Sequence, residues 1–161
     1  MRDTLLNRRC FHKQLGLMIS GLLPALAFAG SGRDIPAPKS LYADLASASK
    51  LAMPLLVFIS LDNCPYCKIA RENYLIPLMN EQSIPVVQVN FRHETPLVDA
   101  HGNKTTQDQQ IRAWGVKVAP TLLFLGKNAQ EIAPRLVGGT TSDFYGAYLA
   151  ERVQTARAVM N

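Results

Sequence analysis

Cysteine is scarce in this chain of 161 residues: Cys10, Cys64 and Cys67 are all it has. That is too few for a small scaffold stapled by several disulfides. Glycine and proline, at 10 each, are too sparse for collagen or a flexible low-complexity chain. Charged residues make up 18% against 48% hydrophobic, which argues against a mainly disordered chain. No apolar run reaches the roughly 20 residues that a membrane-spanning helix needs. The longest, Leu15 to Phe28, has 14 and is interrupted by Gly21 and Pro24. There is no internal repeat. What remains is the composition of a single globular domain with room for a core.

The formal charge of +5 suggests an anionic partner until it is located along the chain. Arg2, Arg8, Arg9 and Lys13 precede the apolar run, with Asp3 as the one acid, and Ala27-Phe28-Ala29 closes it. A basic n-region, an apolar h-region and an A-x-A site form an export signal over residues 1–29. Arg8-Arg9-Cys10-Phe11-His12-Lys13 is also a partial match to the twin-arginine signal, with Asn7 and His12 departing from it. No cysteine follows the h-region directly, so a lipoprotein anchor is not indicated. Cleavage after Ala29 would remove four of the 17 basic residues and one of the 12 acids, leaving +2. The expectation is therefore a periplasmic protein that meets the membrane only during export by the Sec or twin-arginine route. No nucleic-acid partner is expected.

Residues 30–39 read as a Gly/Pro-rich linker and 40–161 as the domain. Ser40 can cap a helix over 41–52 with Leu41, Leu45, Ala48 and Leu51 on one face. Leu55 to Ser60 is a continuous apolar run, the pattern of a strand buried on both faces. A helix begins at Cys64-Pro65, where proline is tolerated because its missing N–H would be unpaired anyway. Pro77 kinks it or ends its first segment. Strands follow at 86–90, 121–125 and 131–137, with a hairpin around Ala100-His101-Gly102-Asn103 and a short helix from Thr106 to Trp114-Gly115. A last helix starts near Ser142, with Phe144, Tyr148, Leu149 and Val153 as its expected apolar face. The order α-β-α-β-α-β-β-α predicts an α/β fold, a small mixed sheet flanked by helices.

Cys64-Pro65-Tyr66-Cys67 carries the chemistry. A C-x-x-C can hold zinc, attach haem or act as a redox dithiol. Zinc usually needs a second pair, and none is present. Haem attachment needs His after the second cysteine, where this chain has Lys68. Position favours redox use, because Cys64 follows a buried strand and opens a helix. Backbone N–H groups and the helix dipole there stabilise a thiolate. Cys67, one turn on, can attack a mixed disulfide formed at Cys64. A copper reading would join His93 or His101 to the cysteine pair, and a purely structural disulfide is the bland alternative.

Val118-Ala119-Pro120-Thr121, just ahead of the third strand, adds a second motif. Strand, C-x-x-C, helix, a later X-Pro-Thr opening a strand, then a hairpin and terminal helix together resemble the thioredoxin superfamily over about residues 40–155. The resemblance implies a thioredoxin-like fold with a central mixed sheet flanked by helices. It implies that Pro120 is cis, and that Ala119 offers its backbone to a substrate peptide beside Pro65 and Tyr66. The export signal and the long connection before Trp114 look most like periplasmic thioredoxin-like proteins of the SoxW and Dsb kind. Pro65-Tyr66 is also the dipeptide of many glutaredoxins, and Gly138-Gly139 with Asp143 resembles their glutathione site. One position departs: thioredoxins carry a buried carboxylate six residues before the first cysteine, where this chain has Phe58. Water, Asp62 or the substrate is then the expected proton acceptor.

The expected function is an exported thiol–disulfide oxidoreductase that uses Cys64 and Cys67 without a cofactor. Its partners would be protein thiols and disulfides and a redox partner protein. The alternatives are a periplasmic copper carrier using the dithiol and a glutathione-dependent enzyme.

Overall fold

The computed structural model describes residues 34–139 and 142–161, without the side chains of Ser142 and Asp143. The expected export signal, including Cys10, lies outside the described residues.

The fold is built around β1, Leu55–Ser60, every residue of which is buried. Its side chains alternate between two cores. Leu56 and Phe58 face one cluster, Leu55, Val57 and Ile59 the other. This explains the unbroken apolar run. β1 pairs in parallel with β2, Val86–Asn90, and antiparallel with β5, Thr121–Leu125. β6, Glu131–Val137, completes a sheet of order β2-β1-β5-β6. The hairpin forms separately as β3, Pro96–Val98, and β4, Lys104–Thr106. Asp99 holds its turn, accepting from the backbone N–H groups of His101 and Asn103, each at 2.8 Å.

Helices cover both faces. On one, α1, Leu41–Lys50, buries Leu41, Leu45 and Ala48, and α4, Gln107–Ala113, buries Ile111. The Ser40 and Thr106 hydroxyls cap them, accepting from the N–H groups of Ala43 and Gln109. Trp114 packs against this core, in keeping with a structural side chain. α1 stops two residues sooner than expected, so Leu51 lies beyond it and is largely exposed. The other face is covered by α2, Pro65–Ala70, by α3, Ile76–Gln82, and by α5, Ser142–Met160.

Pro77 interrupts the helix as expected, and two other expectations need correction. The helix from Cys64-Pro65 passes through a π-helical turn, Arg71–Leu75, before α3 begins, with the Ile76 N–H donating to the Arg71 carbonyl. Pro77 accounts for this: lacking an N–H and crowding the carbonyl four residues back, it widens the turn before it and so ends the first α-helical segment. On α5, Leu149 and Val153 are buried but Phe144 and Tyr148 are exposed, at 60% and 46%. The buried stripe is Tyr145, Leu149, Val153, Ala156 and Met160, one position round from the aromatic pair expected. Tyr145 packs against Tyr74 with ring centroids 5.0 Å apart and planes tilted by 54°, and burial pushes its hydroxyl up to about 12. The linker is docked from Ile35 onward. Ile35 is buried, and the carbonyls of Pro36 and Lys39 accept from the N–H groups of Gln88 and Val98.

These burials separate two substitutions of similar chemistry. Leu122→Ala, at a fully buried site of β5, should cost roughly 2–5 kcal/mol of stability. Phe144→Ser on the exposed side of α5 should stay within about 0.5 kcal/mol. Urea unfolding monitored by circular dichroism measures both.

Candidate active site

β1 delivers the site. After Ser60 the chain turns through Leu61, Asp62 and Asn63, the last with φ of 55°, and Cys64 becomes the N-cap of α2. Its extended backbone lets Sγ accept from the Cys67 N–H at 3.2 Å, and Pro65 takes the first helical position. Cys64 and Cys67 are joined as a disulfide with Cα atoms 5.2 Å apart. Their surroundings differ. Cys67 has no exposure and lies in the core with Ala70, whereas Cys64 is half-buried at the surface. An outer, reachable sulfur backed by an inner, protected one is the arrangement that stepwise disulfide exchange uses. In the dithiol state, the N–H that reaches Cys64 Sγ would favour its thiolate.

The second motif reaches the same end of the sheet by register. Thr121, the first residue of β5, pairs with Ile59, so the 118–120 segment stands beside the turn that carries Cys64. The Ala119–Pro120 bond is cis, as the resemblance implied. The Pro120 carbonyl accepts from Gly138 N–H at 2.7 Å, and Thr121 Oγ1 donates to the Val118 carbonyl at 2.7 Å. Gly138 has φ of +81°, a conformation that glycine adopts without steric cost. Gly139 lies under Tyr66: a Cβ built there would come within 2.9 Å of the tyrosine Cβ. Tyr66 itself is exposed. The six residues singled out from the sequence, Cys64, Pro65, Tyr66, Cys67, Ala119 and Pro120, therefore gather at one end of the sheet. The Asp143 side chain lies outside the described residues.

Phe58, six residues before Cys64, is fully buried among apolar side chains. Asp62 lies in the exposed turn and pairs with His93 Nε2 at 2.9 Å. His101 sits at the tip of the β3–β4 turn. Among the described residues no group of three His, Cys, Asp or Glu side chains could hold a metal ion.

Sequence reasoning missed the polar anchor of the segment carrying His93. The start of α4 buries Gln107 and Asp108. Gln107 Oε1 accepts from Asn90 N–H and Asp108 Oδ1 from Arg92 N–H, both at 2.8 Å. Asp108 Oδ2 also accepts from Arg112 Nε at 2.6 Å. Arg92 turns with φ of 62° to make this contact. The one available signal was two polar residues, Gln107 and Asp108, directly after a capping threonine.

A family model described as thioredoxin-like domain matches residues 41–152. The chain belongs to the thioredoxin-like domain family. Solved structures of similar fold include Trxlp from Edwardsiella tarda EIB202, 27% identical over 69% of this chain and 91% of that one, with a TM-score of 0.47. The thioredoxin of Fasciola hepatica is 18% identical over 74% and 97%, TM-score 0.48. Thioredoxin f2, in a complex with ferredoxin:thioredoxin reductase, is 15% identical over 73% and 94%, TM-score 0.51. No curated protein matches the sequence. A thioredoxin-like fold carrying a C-x-x-C pair supports thiol–disulfide oxidoreductase activity.

In this thioredoxin-like domain, Asp108 gives the site's support an acid sensitivity. The Arg112 guanidinium and the Arg92 N–H hold its carboxyl below the usual carboxylate range. A depressed folded-state value contributes stability above the unfolded value near 4, lost as pH falls through the folded value. Asp108→Asn should therefore flatten the fall in stability below about pH 4, while lowering stability at pH 7. Urea midpoints measured from pH 2 to 7 give the comparison.

Proposed function

We propose that this protein is an exported thiol–disulfide oxidoreductase of the periplasmic SoxW and Dsb kind, working on protein substrates through a mixed disulfide. The observation that carries the reading is the pairing of a half-buried Cys64, its Sγ on the Cys67 N–H, with a wholly buried Cys67.

In the reducing direction, Cys64 thiolate attacks a substrate disulfide, forming a mixed disulfide and releasing one substrate thiolate. Cys67, losing its proton, attacks Cys64 Sγ, forms the Cys64–Cys67 disulfide and releases the second substrate sulfur. Two electrons pass from the dithiol to the substrate, whose two sulfurs leave as thiols once protonated. The oxidising direction runs these steps in reverse. With Phe58 in the core, the Cys67 proton passes to water, Asp62 or the departing substrate. The Ala119 backbone, beside cis Pro120, pairs with the substrate peptide, and Pro65 and Tyr66 form the rest of the contact. Thioredoxin f2 is seen with a reductase, and a protein redox partner of that general kind is the proposed electron donor.

Residues 1–29 act in this reading as an export signal cleaved after Ala29, by the Sec or twin-arginine route, and 40–161 as the working domain. Epitope-tagged as its own reporter, the full chain should be recovered in the periplasmic fraction, shortened at its amino end. Replacing Arg8 and Arg9 by Lys should abolish export if the twin-arginine route carries it. A reporter that stays in the cytoplasm with the intact signal would remove export from the reading.

The chemistry has its own test. Cys64→Ser should abolish dithiothreitol-driven reduction of insulin, whereas Cys67→Ser should accumulate mixed disulfides visible on non-reducing gels. Full insulin reduction by both variants would refute the assignment.

A further inference from the structure

Beside Cys64 the surface folds into a cleft of about 470 Å3, a volume within the range of small-molecule sites. It opens on the β2 side of β1, and its strand residues are Ser60, Gln88 and Asn90. β5, which follows Ala119–Pro120, flanks β1 on its other side and contributes no lining residue. The cleft therefore lies on the opposite side of β1 from Ala119 and meets the peptide contact only at Cys64 and Pro65.

Its wall is polar and incompletely paired. Ser60 and Asn90 are register partners at the ends of two parallel strands, with Gln88 opposite Phe58. Gln88 Nε2 donates to Asn90 Oδ1 at 2.9 Å, but Gln88 Oε1 is shielded from solvent and has no partner. Arg71 Nε is in the same condition, and its guanidinium makes no ion pair among the described residues. An unpaired amide oxygen calls for an N–H donor, and an unpaired guanidinium for a carboxylate. Exposed charges of both signs line the same cleft: Lys68 adds a cation, Glu72 and Asp62 add carboxylates. His93 holds Asp62. A neutral apolar ligand would leave these groups unmatched.

We propose that this cleft is a second substrate site that takes small zwitterionic disulfides of the amino-acid class, bearing both an α-carboxylate and an α-ammonium. Arg71 and Lys68 receive the carboxylate. Gln88 Oε1, with Glu72, receives the ammonium, and the disulfide lies against Cys64. The proposal rests on the thiol–disulfide reading above and names a substrate class for it. Starting from the dithiol, Cys64 thiolate attacks one sulfur of the bound disulfide and expels one amino-acid thiolate. Cys67 then displaces the second. One disulfide forms in the protein as one is broken in the substrate, and the two thiol protons of the dithiol end on the two products.

The test uses the full chain, reduced, freed of reductant and followed through a single turnover by acid quench and thiol labelling. L-Cystine is compared with cystamine, which lacks the carboxylate, and with 3,3′-dithiodipropionate, which lacks the ammonium. Each rate is divided by that of dithiothreitol with the same disulfide, which removes intrinsic reactivity. Cystine should exceed both analogues by about tenfold, the scale of one charge-assisted hydrogen bond. Arg71→Gln should erase its advantage over cystamine, and Gln88→Leu its advantage over dithiodipropionate. Lys68→Gln, at an exposed position, should reduce the first advantage without risk to folding. Equal normalised rates for the three disulfides, or losses in the variants that are the same for all three, would overturn the proposal. Flat selectivity with insulin reduction intact sinks the cleft alone, whereas full insulin reduction surviving in both Cys64→Ser and Cys67→Ser sinks the exchange reading itself.

Discussion

Burial of β1 on both faces is the constraint from which the rest of the architecture follows. A strand whose six residues are all inside needs a helical layer above and another below. α1 and α4 supply one, α2, α3 and α5 the other. Its backbone groups also need partners on both edges, which β2 and β5 provide. With its sides and edges closed, β1 meets solvent only through the segments at its ends, and the turn beyond its carboxyl end is exposed at Asp62 and Asn63. The turn that leaves that end carries Cys64, and so the place for chemistry is set by the same burial that makes the core.

The pieces around that end are held by polar anchors rather than by further apolar packing. Gln107 and Asp108 reach backbone N–H groups at the end of β2 and just beyond it, and the Pro120 carbonyl is tied to Gly138. Such bonds fix geometry while each adds only about 0.5–1.5 kcal/mol to stability. They also leave the cysteine turn flanked by two unlike surfaces. One side presents the backbone of Ala119 and the ring of Tyr66. The other presents a polar cleft whose amide and guanidinium are not fully matched.

Much of this was legible in the sequence where one physical signal dominated. The strands at 55–60, 86–90, 121–125 and 131–137 fall where the apolar runs and their bounding turns put them. The cysteine pair was legible because strand, turn, proline and helix follow one another without interruption. Other features depend on partners that local pattern does not name. On α5, Phe144 and Tyr148 are as apolar as Tyr145. Only the position of the sheet decides that the stripe through Tyr145 and Ala156 turns inward. Buried Asp108 reads as a surface acid until Arg92 and Arg112 are seen against it. Ile35 sits in a stretch of glycine and proline typical of a linker, yet two buried apolar side chains, Ile35 and Pro38, and two backbone hydrogen bonds suffice to dock it. The cleft was invisible in sequence because its walls come from a strand end, a helix and a neighbouring strand.

The π-helical turn at Arg71–Leu75 sets a phase as well as a path. The core residues on this helical segment are Cys67, Ala70, Leu75 and Leu78, so the step from Ala70 to Leu75 is five residues. In ordinary α-helix five residues make about 1.4 turns, which would swing Leu75 and Leu78 well away from the sheet. The wider turn absorbs the surplus residue and brings both back into line. The distance in sequence between the inner cysteine and the far end of its helix is therefore counted, not free. Gaining or losing one residue there would rotate one half of the segment against the other, and the buried cysteine and the leucine anchors could no longer face the same core.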